Sequence, residues 1–195
     1  LPVQYRMETP SPAPPPAKAR PIGYDEYPLY EAYNRQAQGN LYARAILEDR
    51  HGMLWIGTQG GGLDRLDRTT GRFEHFRPDP AECGALADGD VRSLFEDRDG
   101  TLWVGTAAGG LHRLDPARRA FVRYPAAPHD PAALPYEWVQ AIFEDREGAF
   151  WIGTLGGGLA RLDRASGRFT RFQADSRDPH ALPNNRVMEI GRAFV

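Results

Sequence analysis

The sequence carries one cysteine, Cys83, and one lysine, Lys18, in 195 residues. A single thiol rules out an intramolecular disulfide and leaves the redox compartment unreadable, so Cys83 reads as a loop residue. The other cations are arginines scattered singly along a chain of formal net charge -2. Nucleic acid would require a basic stripe, and no nucleic-acid partner is expected. No stretch approaches the roughly 18 apolar residues that cross a membrane, and the first twenty residues lack the charged start and apolar centre of a secretory leader. His51, His75, His112, His129 and His180 share no ligand spacing with one another or with Cys83, so no metal and no other cofactor is expected. Ser93, Ser166 and Ser176 have no nucleophile-elbow context, and no catalytic residue is assigned.

Turn-forming residues are plentiful instead: 21 glycines and 17 prolines. Many of the glycines recur with a fixed period. Trp55, Trp103 and Trp151 are each 48 residues apart, and the chain superposes on itself at that offset without a gap from about Gly39 to Ile190. Each copy reads E-D-R-x-G-x-[LF]-W-[IV]-G-T-x-x-G-G-L-x-R-L-D, followed by an aromatic pair and A-L-x-x-x-x-V. Within a copy the hydrophobic period is that of strands. Val91–Phe95 runs into Asp97-Arg98-Asp99-Gly100, where Asp opens a tight turn and Gly takes the positive φ that closes it. Leu102–Thr106 returns, Gly109-Gly110 turns again into Leu111–Leu114, and Asp115-Pro116 stops that strand because proline lacks the amide a ladder needs. Phe121–Tyr124 is the fourth strand.

Four short antiparallel strands per 48 residues predict an all-β fold: blades of a β-propeller, about three of them, forming an incomplete propeller. Helical solenoids would need apolar residues at helical spacing, and leucine-rich repeats a shorter period. Blade repeats are expected to start near 43, 91 and 139, with a partial fourth from 187, inside a propeller segment over residues 24–195. Residues 1–23, with the proline-rich run Met7–Pro21, read as an extended leader or linker, and the tyrosine-rich Tyr24–Tyr33 as an outer strand of a preceding blade. Because propellers close with about four to eight blades, the remaining blades are expected from a longer parent chain or from other copies.

The pattern at Glu96–Asp115 resembles the two-component regulator propeller repeat, over about residues 40 to 190. The resemblance implies the extracytoplasmic, periplasmic sensor part of a bacterial histidine kinase or hybrid kinase, many of whose relatives respond to oligosaccharides. No later blades, immunoglobulin-like domain, kinase segment or receiver segment accompanies the repeats, so the chain itself is not expected to be an enzyme.

Comparing the copies separates scaffold from site. The tryptophans and Gly57, Gly105 and Gly153 recur and read as packing between blades. The pairs Glu48-Asp49, Glu96-Asp97 and Glu144-Asp145 also recur. Neighbours on a strand face opposite ways, so they cannot share a substrate, and each Asp reads as the opening of its turn. The glycine run Gly60-Gly61-Gly62 precedes a strand rather than a helix, which removes a phosphate loop.

Positions that do not recur fall in the loop ahead of each inner strand and in the loop between the second and third strands, which open on one face. There Tyr136, Trp138, Asn184 and Arg186, with Arg92 and Gln140 just beyond, are candidates for a ligand face: rings stack on sugar or apolar surfaces, while amide and guanidinium groups give directional hydrogen bonds. The leading expectation is a ligand-sensing propeller segment for a small molecule or oligosaccharide. Its rival is an interaction scaffold. A propeller enzyme such as a lyase would draw on Asp88, Asp90 and Glu137.

Overall fold

The computed structural model describes residues 42–191. The leader, Tyr24–Tyr33 and the last four residues therefore lie outside the described residues. Twelve strands form three four-stranded antiparallel sheets with no helix among the described residues. The first blade contains β1 (Ala43–Glu48), β2 (Leu54–Thr58), β3 (Leu63–Asp67) and β4 (Arg72–Phe76). The second contains β5 (Val91–Glu96), β6 (Leu102–Thr106), β7 (Leu111–Asp115) and β8 (Ala120–Tyr124). The third contains β9 (Val139–Glu144), β10 (Phe150–Thr154), β11 (Leu159–Asp163) and β12 (Arg168–Phe172). Strand order follows chain order in every sheet, so this is the predicted incomplete β-propeller. Residues 187–191 form no strand; Arg186 makes one isolated bridge to Leu155.

The recurring Asp does more than open its turn. Asp97 Oδ1 accepts the amides of Asp99 and Thr101, and its Oδ2 accepts the indole N–H of Trp103 at 2.8 Å. Asp49 holds Trp55, and Asp145 holds Trp151, in the same way. The indole bond holds the Asp145 carboxyl below the usual carboxylate range. A ring aimed in this way enters the seam between blades. Trp55 lies with Val91, Leu102, Val104 and Phe121 of the second blade, and Trp103 with Val139, Phe150 and Ile152 of the third. Trp103 is buried, whereas Trp151, with no further blade beside it among the described residues, is half-buried.

The neighbouring Glu, facing the other way, joins blade to blade. Glu96 accepts the main-chain amide and the Nε of Arg50, and Arg50 in turn donates to the carbonyl of Asp97. One blade on, Glu144 accepts the amide of Arg98, and Arg98 donates to the carbonyl of Asp145. Arg164 straddles the second seam, donating to Asp97 at 3.0 Å and to Glu144 at 2.8 Å. The recurring glycine packs between blades, as its recurrence suggests. A Cβ on Gly57, Gly105 or Gly153 would collide with Val91, Val139 or Val187 of the following repeat, so the glycine makes room for the next valine.

Two substitutions test this frame. Gly105→Ala would place its Cβ 2.2 Å from Ser93 Oγ and 2.6 Å from Val139 Cγ1; urea denaturation should show a loss of about 1–3 kcal/mol. Glu144→Ala removes a carboxylate with 3% of its side chain exposed, whereas Glu48, at the same position of the first blade, is 51% exposed and among the described residues pairs with Arg68 alone. The first should cost roughly 1–3 kcal/mol and Glu48→Ala less than about 1 kcal/mol; equal losses would contradict the inter-blade role.

Candidate ligand face

Each inner strand begins with a β-bulge. Register shifts between Ala43 and Ala45, and between Val91 and Ser93, leave Arg44 and Arg92 without a ladder partner; the same shift opposite Gly153 and Thr154 leaves out Gln140. A bulge re-aims its extra residue and increases the local twist. All three bulged residues are polar, and two of them are candidates named from sequence.

These side chains meet those of the loop ahead of the next strand. The guanidinium of Arg92 lies 4.4 Å from the ring centroid of Trp138, within cation–π range. Arg92 donates to Asp90 at 2.5 Å, and the Trp138 indole donates to Gln140 at 3.0 Å. Asp90, Arg92, Trp138 and Gln140 thus form a connected group across the second and third blades. Asp90 Oδ1 and Arg92 Nε are buried with no hydrogen-bond partner among the described residues.

Tyr136, 44% exposed, packs on the following glycine turn, where a Cβ at Gly156 would come within 3.1 Å of its ring. Asn184 and Arg186 are exposed one loop further along. Asn184 Oδ1 accepts the Arg186 amide, and neither side chain bonds to the Trp138 group among the described residues. So the structure joins Arg92, Trp138 and Gln140, sets Tyr136 beside them and leaves Asn184 and Arg186 apart. Tyr136, Glu137 and Trp138 also line a shallow cavity of about 180 Å³ floored by Ala107, Ala126 and Pro128.

The loops are tied together by main-chain bonds. The amide of Ala107 donates to Asp90, that of Leu155 to Trp138, and those of Gly110 and Gly158 to Glu137 and Asn185. Asp88 caps Ala108 and Asp90 through its two carboxylate oxygens, at 2.7 and 3.1 Å. Beneath this loop lies His112, fully buried, whose Nε2 accepts the Ala87 amide at 3.2 Å. Burial foremost, and then the positive charge of Arg123, lower its pKa to about 4; Asp88 and the carbonyls of Val104 and Gly110 pull the other way. Sequence reasoning took Asp90 only as a potential catalytic acid and His112 only as a failed metal ligand. Their support of the face depends on a bulge and on cross-strand partners that no single-residue motif announces.

The two component regulator propeller family model matches residues 37–60, 85–108 and 133–156, one segment in each of the three blades. The repeat predicted from the sequence is thus the repeat of that family model. No curated protein sequence matches the chain significantly. Among solved structures, the extracellular domain of a hybrid two component system from B. thetaiotaomicron matches with a TM-score of 0.65 at 24% identity, covering 76% of this chain and 20% of that one. The corresponding domain of a second such system from the same organism gives 0.57 at 22% identity, over 76% of this chain and 24% of that one. Virginiamycin B lyase from Staphylococcus aureus gives 0.54 at 17%, over 73% and 44%. This chain thus spans about a fifth to a quarter of the two-component domains, and at these identities the likeness is one of fold. It is a propeller segment similar to the extracellular domains of two-component systems.

The state of His112 sets an acid limit for these blades. Its folded pKa lies below the ordinary 6.5, so the unfolded chain binds the proton more readily, and stability is complete above about pH 6.5 and declines as pH falls toward 4. The interval corresponds to a loss on the order of 3 kcal/mol. Thermal unfolding between pH 7 and 4 should show it, and His112→Gln should flatten the profile; an unchanged slope would exclude His112 as the source.

Proposed function

We propose that this chain is the ligand-sensing part of a larger bacterial two-component receptor, located outside the cytoplasm, with its ligand bound on the loop face around Trp138. The linked group of Asp90, Arg92, Trp138 and Gln140 carries this reading. It combines an aromatic ring, an ion pair and an amide at positions where the repeat does not require them. Oligosaccharides suit such a set, since rings cover the apolar face of a sugar while paired donors and acceptors fix its hydroxyls. Other blades, from the parent chain or from other copies, would complete the ring and transmit the difference in binding energy between two arrangements of the receptor.

The chain acts by binding rather than by catalysis. Of the carboxylates an enzyme would draw on, Asp88 is engaged with two main-chain amides and Asp90 with Arg92, which are positioning roles. A protein partner is the second reading, favoured by the exposure of Tyr136 and of Met188, which is 56% exposed.

Fluorescence titration of the chain with a panel of defined oligosaccharides tests the proposal. At least one should bind saturably, and Trp138→Ala should weaken it at least about tenfold, a change of roughly 1.4 kcal/mol. Undiminished affinity in the variant would place the ligand elsewhere.

A further inference from the structure

The cavity beside Trp138 is too small for a whole oligosaccharide. At about 180 Å³ it falls below the roughly 300–1,000 Å³ of pockets that enclose a drug-sized ligand, so it accommodates one chemical group. Its walls are uneven in kind. Ala107, Ala126 and Pro128 are apolar; Tyr136 and Trp138 bring aromatic rings.

Donors are scarce in this lining. The indole N–H of Trp138 is already given to Gln140, which leaves the Tyr136 hydroxyl as the remaining side-chain donor. Glu137, exposed to solvent, is the one formally charged residue in the wall, and its carboxylate has no ion pair among the described residues. The cations nearby are committed. Arg92 is paired with Asp90, and Arg171, behind Pro128, donates to the carbonyls of Ala127, Pro128 and Ala133.

An anionic group would meet Glu137 and find no free cation in the wall. A neutral polyol confined to this cavity, as distinct from one lying across the open face, would find too few donors for its oxygens. An alkylammonium group matches all three features: methyl or methylene surface against alanine and proline, positive charge beside two aromatic rings, and one carboxylate to neutralise it. Trp138 already accepts a cation in this way, from Arg92.

We propose that this cavity is a subsite for an alkylammonium group of a small-molecule ligand. The assignment rests on the reading of the Trp138 face as a ligand face and narrows what that face selects. Glu137 and the two rings would discriminate by charge, and the floor by size.

The test uses the 195-residue chain with indole N–H resonances followed by two-dimensional NMR. Choline is the probe, 3,3-dimethylbutan-1-ol its uncharged isostere and glucose the polyol control. Choline should shift the Trp138 resonance saturably, with a Kd on the order of millimolar. The isostere should bind at least about fivefold more weakly, and Glu137→Gln should weaken choline by a similar factor. Among the described residues Glu137 is engaged through its main-chain carbonyl, as the acceptor for Gly110, so its amide variant should fold. Equal shifts with choline and its isostere, or choline binding that Glu137→Gln leaves unaltered, would overturn the charge assignment. Shifts with glucose or the oligosaccharide panel but none with choline would overturn this inference and leave the ligand face standing. No response of Trp138 to any of these would sink both.

Discussion

The hydrogen bond from the tryptophan indole to the turn aspartate is the constraint on which the blades depend. It ties the aspartate that closes the turn between the inner and second strands to the largest side chain in the repeat and so fixes that ring's rotamer. A ring held at its polar edge presents its apolar body to the neighbouring blade, where it meets valine, leucine and phenylalanine. Because strand neighbours face opposite ways, fixing the aspartate also fixes the preceding glutamate toward the arginine of the blade before. One short run, Glu-Asp-Arg, thereby specifies a turn, a core contact and a seam.

Much of this was legible in the sequence because it repeats. The 48-residue period, the strand boundaries and the turn role of Asp97 follow from local chemistry and from comparing copies. The partners did not follow, since the spacing of Trp103 and Gly105 gives no information about which atoms face each other across a seam. Only the register shows that the glycine clears a path for Val139 and that Glu144 accepts from Arg98. For the proposed ligand face, copy-to-copy variation pointed to loops that open beside one another. It could not separate Arg92 and Trp138, which touch, from Asn184 and Arg186, which lie on the next loop. Such adjacency depends on the bulges and on the angle between blades, both outside the reach of a linear pattern.

Beneath the face, the third strands carry a second set of residues that vary from blade to blade. The same buried position holds Asp64, His112 and Ala160, and each has a different neighbour directly across the ladder: His75, Arg123 and Arg171. Asp64 pairs with His75 and Arg77; His112 carries the Ala87 amide; Arg171, opposite the small alanine, is free to grip the carbonyls of the loop at 127–134. The loops above therefore sit on three different polar supports while the blade geometry stays constant. A change of support alters the stiffness of a loop without altering its sequence.

The bulges at Arg44, Arg92 and Gln140 have an evolutionary reading. A residue that belongs to no ladder pair contributes nothing to strand register, so its replacement carries no penalty in the pairing of the strands. The choice of side chain at these positions is in this way uncoupled from folding, blade by blade. Duplicated repeats can then diverge at one position each, and a propeller assembled from them acquires a combinatorial vocabulary: the number of distinct faces grows as the product of the choices in each blade, while the scaffold that displays them is inherited whole.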